Sequence, residues 1–148
     1  FLVGDLDDSP VSLVDLLTGE RSLLLAFVDL DCAPCRELLP KLAQWRSEPG
    51  RPRIAVIGSG NRADFRVAAE EAGLTEVLVQ SEGEISASYG IAGTPSAVLV
   101  SARGTASGRL FAVGAPTRGR FVNAMEIDCI RMQSDRVAQS IFATIATS

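Results

Sequence analysis

Apolar runs separated by amphipathic segments make up most of the chain. Residues 22–28 and 53–58 are nearly continuous apolar runs, which predict strands buried on both faces of a mostly parallel sheet. Residues 75–80 and 96–100 predict two further strands. After the first run, apolar residues recur at helical spacing, namely Leu38, Leu39, Leu42 and Trp45. The pattern therefore predicts strands that alternate with helices.

Capping residues and glycines indicate the ends of the predicted helices. These helices are residues 12–17, a helix from Cys32, residues 62–72, residues 82–89 and a final helix from Arg118. Ser12, Asn61 and Thr117 are suited to cap the first, third and last of them, and Gly73 ends the third. Pro40 lies inside the helix that begins at Cys32, so a kink is expected there.

The order of these elements predicts the fold class. Residues 3–6 and 11–13 flank the turn-forming residues 7–10, which indicates an N-terminal hairpin. Strand–helix alternation then leads to an antiparallel pair, residues 96–100 and 109–113, before the final helix. The predicted class is α/β, with a central mixed sheet that is flanked by helices and has one antiparallel edge.

Two cysteines fall where the first buried strand meets its helix. Cys32 lies near the helix N-cap, and Cys35 lies one turn inside on the same face, where it can close a disulfide. Unpaired backbone N–H groups and the helix dipole favour an anion at this end, so the Cys32 thiolate should be stabilised. Pro34 in the first turn and the strand before it are the context of a redox pair.

A C-x-x-C pair also occurs in zinc sites and haem attachment sites, which fit this chain less well. Structural zinc normally needs four ligands, whereas the chain has no histidine and only one further cysteine, Cys129. Haem attachment needs a histidine where Arg36 stands. Two reduced structural cysteines stay open as an alternative. Gly58-Ser59-Gly60 lacks the third glycine and the spacing of a dinucleotide-binding loop.

Composition narrows the function classes. The chain has 148 residues, 47% of them hydrophobic, which suffices for one ordinary core. A net charge of −4 and the lack of a basic run argue against nucleic-acid binding. No apolar run within these residues reaches the length of a membrane span, and none has the pattern of a signal peptide. The chain begins at Phe1, so a membrane connection is expected only through an N-terminal leader or anchor outside these residues.

Several motifs together carry a family resemblance. The first set lies in or beside the predicted strands and helices and comprises Cys32-Ala33-Pro34-Cys35, Pro40, Thr94-Pro95 and Gly114. The second set comprises Asp5-Leu6-Asp7, Val11-Ser12-Leu13 and the helix–strand segment between Asn61 and Gln80. On the first set the chain resembles the thioredoxin superfamily. On the second it resembles the TlpA/ResA-like, redoxin-type branch of bacterial thiol–disulfide oxidoreductases. The resemblance covers residues 1 to about 128.

The resemblance implies a thioredoxin-like fold and dithiol chemistry. Cys32 is expected to attack a substrate disulfide as a thiolate, and Cys35 to resolve the mixed disulfide. The Thr94-Pro95 peptide bond is expected to be cis. The residues expected to bind the substrate are Thr94, Pro95, Ala33 and Pro34.

The resemblance also implies partners and a location. No cofactor or metal is expected beyond the redox-active Cys32-Cys35 disulfide. Protein disulfides or dithiols are the expected substrates, together with an upstream electron donor. Because proline before the second cysteine resembles the reducing members of the superfamily, the chain is expected to reduce protein disulfides or relay electrons to them. An extracytoplasmic location, periplasmic or membrane-anchored, is expected.

Two positions depart from the family pattern. Asp31 stands where a tryptophan often precedes the first cysteine, and Ala26 stands where thioredoxins carry a buried acid. Asp29 and Asp31 are candidates for the proton transfer, with solvated loop carboxylates as the alternative interpretation. Either carboxylate would raise the energy of a nearby thiolate.

Two rival functions share this fold. A peroxiredoxin-like peroxide reductase would carry a proline–threonine–cysteine signature, which is missing around Cys32. A metal-binding module or metallochaperone of the copper-binding kind would carry a histidine beside the cysteines, and the chain contains none.

The C-terminal part of the chain is expected to lie outside the shared fold. Residues 1–128 are predicted to form the domain, and residues 129–148 a tail or an extension of the last helix. Apolar residues recur there at roughly helical spacing, namely Met125, Cys129, Met132, Val137, Ile141 and Ile145. Such a stripe is expected to fold back on the domain or to mediate dimerisation, with a tail of low order as the alternative. Cys129 is expected to be a buried or bystander thiol.

Overall fold

The structure, a computed structural model, describes residues 1–112. Its elements, in chain order, are β1 (Leu2–Gly4), β2 (Pro10–Ser12), α1 (Leu13–Leu16), β3 (Leu23–Asp29), α2 (Ala33–Ser47), β4 (Arg53–Ser59), α3 (Arg62–Ala72), β5 (Val77–Gln80), α4 (Glu84–Ser88), β6 (Ser96–Val100) and β7 (Ala106–Ala112). Strands β1 and β2 pair with each other, and the other five form one sheet in the order β5-β4-β3-β6-β7.

The five-stranded sheet is mixed, as predicted. Strands β3, β4 and β5 run parallel, whereas β6 is antiparallel to β3 and β7 is antiparallel to β6. Helical crossovers join the parallel strands, because parallel neighbours cannot be connected by a tight turn. The predicted α/β class with an antiparallel edge is confirmed.

Strand β3 lies at the centre of this sheet and is buried on both faces. Its even-numbered residues, such as Leu24 and Val28, pack in a core with α2 and α3. Its odd-numbered residues, such as Leu25 and Phe27, pack in a second core with the N-terminal hairpin, α1 and α4. Alternation of side chains across the strand thus gives both cores apolar groups, and full burial of each large side chain contributes roughly 1.5–3 kcal/mol.

Helix α3 lies very close to β4. Gly58 pairs with Val28 on one side and Val79 on the other, and the ring of Phe65 sits directly over it. A Cβ added at Gly58 would lie 2.5 Å from the nearest ring carbon of Phe65. The helix caps follow the prediction, since Asn61 accepts a hydrogen bond from the backbone N–H of Ala63 and the helix ends at Gly73 with φ 76°.

The N-terminal hairpin is shorter than predicted. The Asp5 carboxylate accepts hydrogen bonds from the backbone N–H groups of Asp7 and Ser9, at 2.8 and 2.9 Å, which turns the chain after β1. Ion pairs then attach the turn to α3, from Asp7 to Arg66 and from Asp8 to Arg62, each at 2.8 Å. These carboxylate contacts end the strand before the apolar pattern does.

Helix α4 begins two residues later than predicted because its cap comes from outside the helix. The side chain of Gln80 is 1% exposed, and its Oε1 accepts hydrogen bonds from the backbone N–H groups of Ile85 and Ser86 at 3.1 and 3.0 Å. Its Nε2 donates to the hydroxyls of Ser59 and Ser86 at 2.8 and 2.6 Å. One buried amide therefore joins the ends of β4 and β5 to α4.

Helix α2 continues through Pro40 to Ser47, and the kink expected at Pro40 stays a prediction. Several expectations lie outside the described residues: Gly114, the cap at Thr117, the final helix, the domain boundary near residue 128 and Cys129. Within residues 1–112, no helix has the length and apolar character that a membrane crossing requires.

Replacing Gly58 with alanine should lower the free energy of unfolding by about 1–3 kcal/mol, because the new methyl group would overlap the buried Phe65 ring. Chemical denaturation measures this loss. Gly93→Ala is the control, since no atom lies within 4 Å of its added Cβ. The double variant Gly58→Ala/Phe65→Leu should recover part of the loss; equal losses in the Gly58 and Gly93 variants would contradict the close packing.

Replacing Gln80 with leucine should lower the free energy of unfolding by about 2–4 kcal/mol, since two backbone N–H groups of α4 would lose their acceptor. Ser59→Ala removes one acceptor of the Gln80 amide and leaves both N–H contacts intact, so it should cost about 1 kcal/mol or less. Thermal or urea unfolding compares the two. A Gln80→Leu variant no less stable than Ser59→Ala would disprove the capping role.

Candidate redox site

The end of β3 leads into a tight turn that places Cys32 at the start of α2. The backbone N–H of Cys32 donates to the carbonyl of Asp29 at 3.2 Å, and the Asp29 carboxylate accepts the N–H of Asp31 at 2.8 Å. Cys32 is the N-cap residue with an extended backbone, φ −91° and ψ 112°. The helix follows at Ala33, with Pro34 in its first turn. The predicted strand-to-helix junction at the cysteines is confirmed.

The two cysteines differ in exposure. Cys35 is 0% exposed and belongs to the core shared by α2, α3 and the sheet, whereas Cys32 is half-buried. Both are free thiols in this structure. A reagent or substrate in solvent therefore reaches Cys32 and not Cys35.

Thr94 contacts both cysteines from the other side of the site. The Cys32 thiol donates to the Thr94 carbonyl with a sulfur–oxygen distance of 3.6 Å, and the Thr94 side chain lowers the pKa of Cys35. The Thr94-Pro95 peptide bond is cis, as predicted. Pairing of Ser96 with Phe27 holds this loop beside the end of β3.

The electrostatic environment makes the two thiols chemically unequal. Burial, together with the hydrogen bond and the charge of neighbouring Cys32, raises the pKa of Cys35 to about 12. The backbone N–H of Asp29 and the Thr94 hydroxyl act in the opposite direction. At neutral pH the Cys35 side chain is therefore a protonated thiol.

The contacts of Cys32 differ in one respect from the expectation that backbone N–H groups converge on its sulfur. Its side chain makes no capping hydrogen bond. Pro34 has no N–H, and the N–H of Cys35 donates to the Cys32 carbonyl at 3.1 Å. Proline in the first turn therefore removes one of the donors on which that expectation relied.

The remaining predicted site residues lie around the pair. Ala33 is exposed, Pro34 is half-buried, and both are beside Cys32 on α2. Ala26 is buried within the same core as Cys35, so its position supplies no acid. Asp29 is half-buried and Asp31 is exposed, so the Asp31 carboxylate lies in solvent, in line with the alternative interpretation.

Sequence reasoning missed two groups that act on Cys35. The backbone N–H of Asp29 and the side chain of Thr94 both lower its pKa, against the effect of burial. The sequence indicates Thr94 only as the residue before Pro95 and as a substrate contact, because a long-range contact leaves no periodic pattern. Within residues 1–112, no three histidine, cysteine or acidic side chains cluster in a way that would hold a metal ion.

Solved structures share this architecture. A thiol:disulfide interchange protein of the thioredoxin family from Chlorobium tepidum is 20% identical with a TM-score of 0.62, over 90% of this chain and 92% of that one. A secreted Mycobacterium tuberculosis disulfide oxidoreductase homologous to Escherichia coli DsbE is 18% identical with a TM-score of 0.61, over 88% and 92%. The chain has a thioredoxin-like fold.

A third structure with the thioredoxin-like fold is the exposed lipoprotein thioredoxin Etrx1 of Streptococcus pneumoniae. It is 19% identical with a TM-score of 0.61, over 89% of this chain and 98% of that one. No protein-family model and no curated protein matches the chain. The similarity therefore lies in the thioredoxin-like fold, and the assignment of function rests on the chemistry of the site.

Limited alkylation of the reduced protein should modify Cys32 in preference to Cys35, because the Cys35 thiol is buried and its pKa is raised to about 12. A Cys129→Ser background confines the label to the pair, and peptide mapping after iodoacetamide at pH 8 locates it. In this background Cys32→Ser should react at least roughly tenfold more slowly than Cys35→Ser. The rate of the Cys32→Ser variant should keep rising with pH beyond 9, because burial, the largest cause of the raised pKa, stays when Cys32 is replaced. A plateau near 9 would contradict burial as that cause.

Proposed function

We propose that the chain is a thiol–disulfide oxidoreductase in which Cys32 is the nucleophile and Cys35 the resolving thiol. The observation that carries this proposal is the pair itself, with a half-buried Cys32 and a fully buried Cys35 one helical turn apart beside Thr94. Because burial and the raised pKa keep Cys35 protonated and out of reach, the accessible Cys32 is the sulfur that attacks.

The proposed reaction has two exchange steps. The Cys32 thiolate attacks one sulfur of a substrate disulfide, forming a mixed disulfide and releasing the second substrate sulfur as a thiolate that takes up a proton. Cys35 then loses its proton and attacks Cys32, which releases the remaining substrate thiol and closes the Cys32-Cys35 disulfide. Two electrons pass to the substrate. An upstream dithiol donor must restore the reduced pair, and no other cofactor is required.

Burial of Cys35 fits its role in the second step. The Asp29 N–H and the Thr94 side chain lower the pKa of Cys35 against the effect of burial, so they favour its thiolate when one forms. The cis Thr94-Pro95 segment leaves its backbone beside Cys32. We assign substrate contact to Thr94, Pro95, Ala33 and Pro34 on the basis of this placement.

We propose that the chain works mainly as a reductant or an electron relay toward protein disulfides. Strong oxidants of this chemistry owe their potential to an unusually stabilised thiolate. Here the Cys32 side chain makes no capping hydrogen bond, and the carboxylates of Asp29 and Asp31 are placed in the adjoining turn. The reduction potential should lie nearer the thioredoxin value of about −270 mV than the oxidant value of about −120 mV.

We propose an extracytoplasmic location for the chain. Two proteins of similar fold support this, since one is described as secreted and the other as an exposed lipoprotein. A reporter fusion to the full-length gene product tests the location, with activity on the cytoplasmic side only as the contrary outcome.

The Cys35→Ser variant should accumulate a mixed disulfide with a disulfide-bonded protein such as insulin, because nothing resolves the bond formed by Cys32. Non-reducing electrophoresis and mass spectrometry detect the adduct. In the matched Cys32→Ser variant the adduct should be absent, and the unsubstituted pair should reduce insulin catalytically with a dithiol donor. All three proteins carry Cys129→Ser. Adducts through Cys35 alone, or an unsubstituted pair inert toward disulfides but active with peroxide, would overturn the proposal.

A further inference from the structure

Asp29 acts on both cysteines of the site. It is the last residue of β3, where it pairs with Ser59 of β4. Its carbonyl accepts the N–H of Cys32 at 3.2 Å, and its own N–H lowers the pKa of Cys35. The position of Asp29 therefore relates one cysteine to the other.

The Asp29 side chain fixes the turn that these backbone contacts require. Its Oδ1 accepts the N–H of Asp31 at 2.8 Å, so side chain and carbonyl together bind the chain two and three residues further on. The guanidinium of Arg36 donates to the carbonyl of Leu30 and secures the remaining residue of the turn. A turn closed by an aspartate side chain in this way holds the backbone of the following residues in one conformation.

We propose that Asp29 is a positioning residue, whose carboxylate orients the turn so that the Cys32 sulfur lies where it can bond to Cys35. This inference rests on the proposed function. Disulfide closure oxidises both thiols and needs narrow S–S geometry, and the electron pair passes to the substrate disulfide, whose two sulfurs leave as thiols. A turn already set for that geometry stabilises the oxidised pair relative to the reduced one.

Four variants distinguish the effect of the side-chain hydrogen bond in the turn from the effect of the negative charge. Asp29→Asn keeps a side-chain oxygen as acceptor and removes the charge, whereas Asp29→Ala removes both. Asp31→Asn and Asp31→Ala are the matched controls, since the exposed Asp31 carboxylate carries the same charge two residues away and accepts no hydrogen bond within residues 1–112. The measured quantity is the equilibrium constant of the Cys32-Cys35 disulfide in glutathione redox buffers, in a Cys129→Ser background.

The equilibrium constant for forming the Cys32-Cys35 disulfide should be roughly fivefold smaller in Asp29→Ala than in Asp29→Asn. This is the effect of losing one hydrogen bond that favours the oxidised form. The equilibrium constants of the two Asp31 variants should agree within about twofold, because the turn uses no acceptor on the side chain at position 31. Equal equilibrium constants in the two Asp29 variants would overturn the positioning role. So would a difference between alanine and asparagine that is as large at position 31 as at position 29.

Denaturation of the oxidised and reduced forms excludes a merely structural role. Such a role would lower the stability of both forms equally and leave the glutathione equilibrium unchanged, which would count against the inference. If Asp29→Ala fails to fold, Asp29→Thr and Asp29→Val repeat the comparison with an isosteric pair that differs in the hydroxyl acceptor. An unsubstituted chain that forms no Cys32-Cys35 disulfide would instead refute the proposed function, so the two failures are distinguishable.

Discussion

Burial of β3 on both faces is the constraint on which the rest of the structure depends. Its alternate side chains belong to two separate cores, so the strand lies between two packed layers. Pairing with β4 and β6 then fixes where the strand ends. As a result the cysteines lie at the carboxyl end of β3. The start of α2 and the Thr94-Pro95 loop meet there.

The same core makes a symmetrical sequence motif chemically asymmetric. Residues 32 and 35 are identical in type, yet one lies at the helix end and the other one turn further into the apolar layer. Desolvation of a thiolate is costly, so the inner thiol stays protonated while the outer one remains accessible. The division of labour between nucleophile and resolving thiol therefore follows from depth in the fold.

Polar contacts to the pair come from the backbone and from short side chains. Ala26 offers no acid at the position where thioredoxins carry one, and the groups that lower the pKa of Cys35 are the Asp29 N–H and the Thr94 side chain. Gln80 plays a comparable part elsewhere, because its buried amide caps a helix that lacks a side-chain cap of its own. In both places a polar group from outside the helix acts on a buried part of it.

Local sequence determined the elements, since apolar runs, capping residues and glycines act within a few residues: β3, the cap at Asn61 and the α2 start at Cys32 all lie where the pattern predicts them. The sequence pattern did not predict helix ends that are set by a side chain outside the helix, as where Gln80 caps α4. Only the tertiary structure brought Thr94, 62 residues away along the chain, against Cys32. Burial is the largest cause of the raised pKa of Cys35, and it depends on packing between strands that no local pattern encodes.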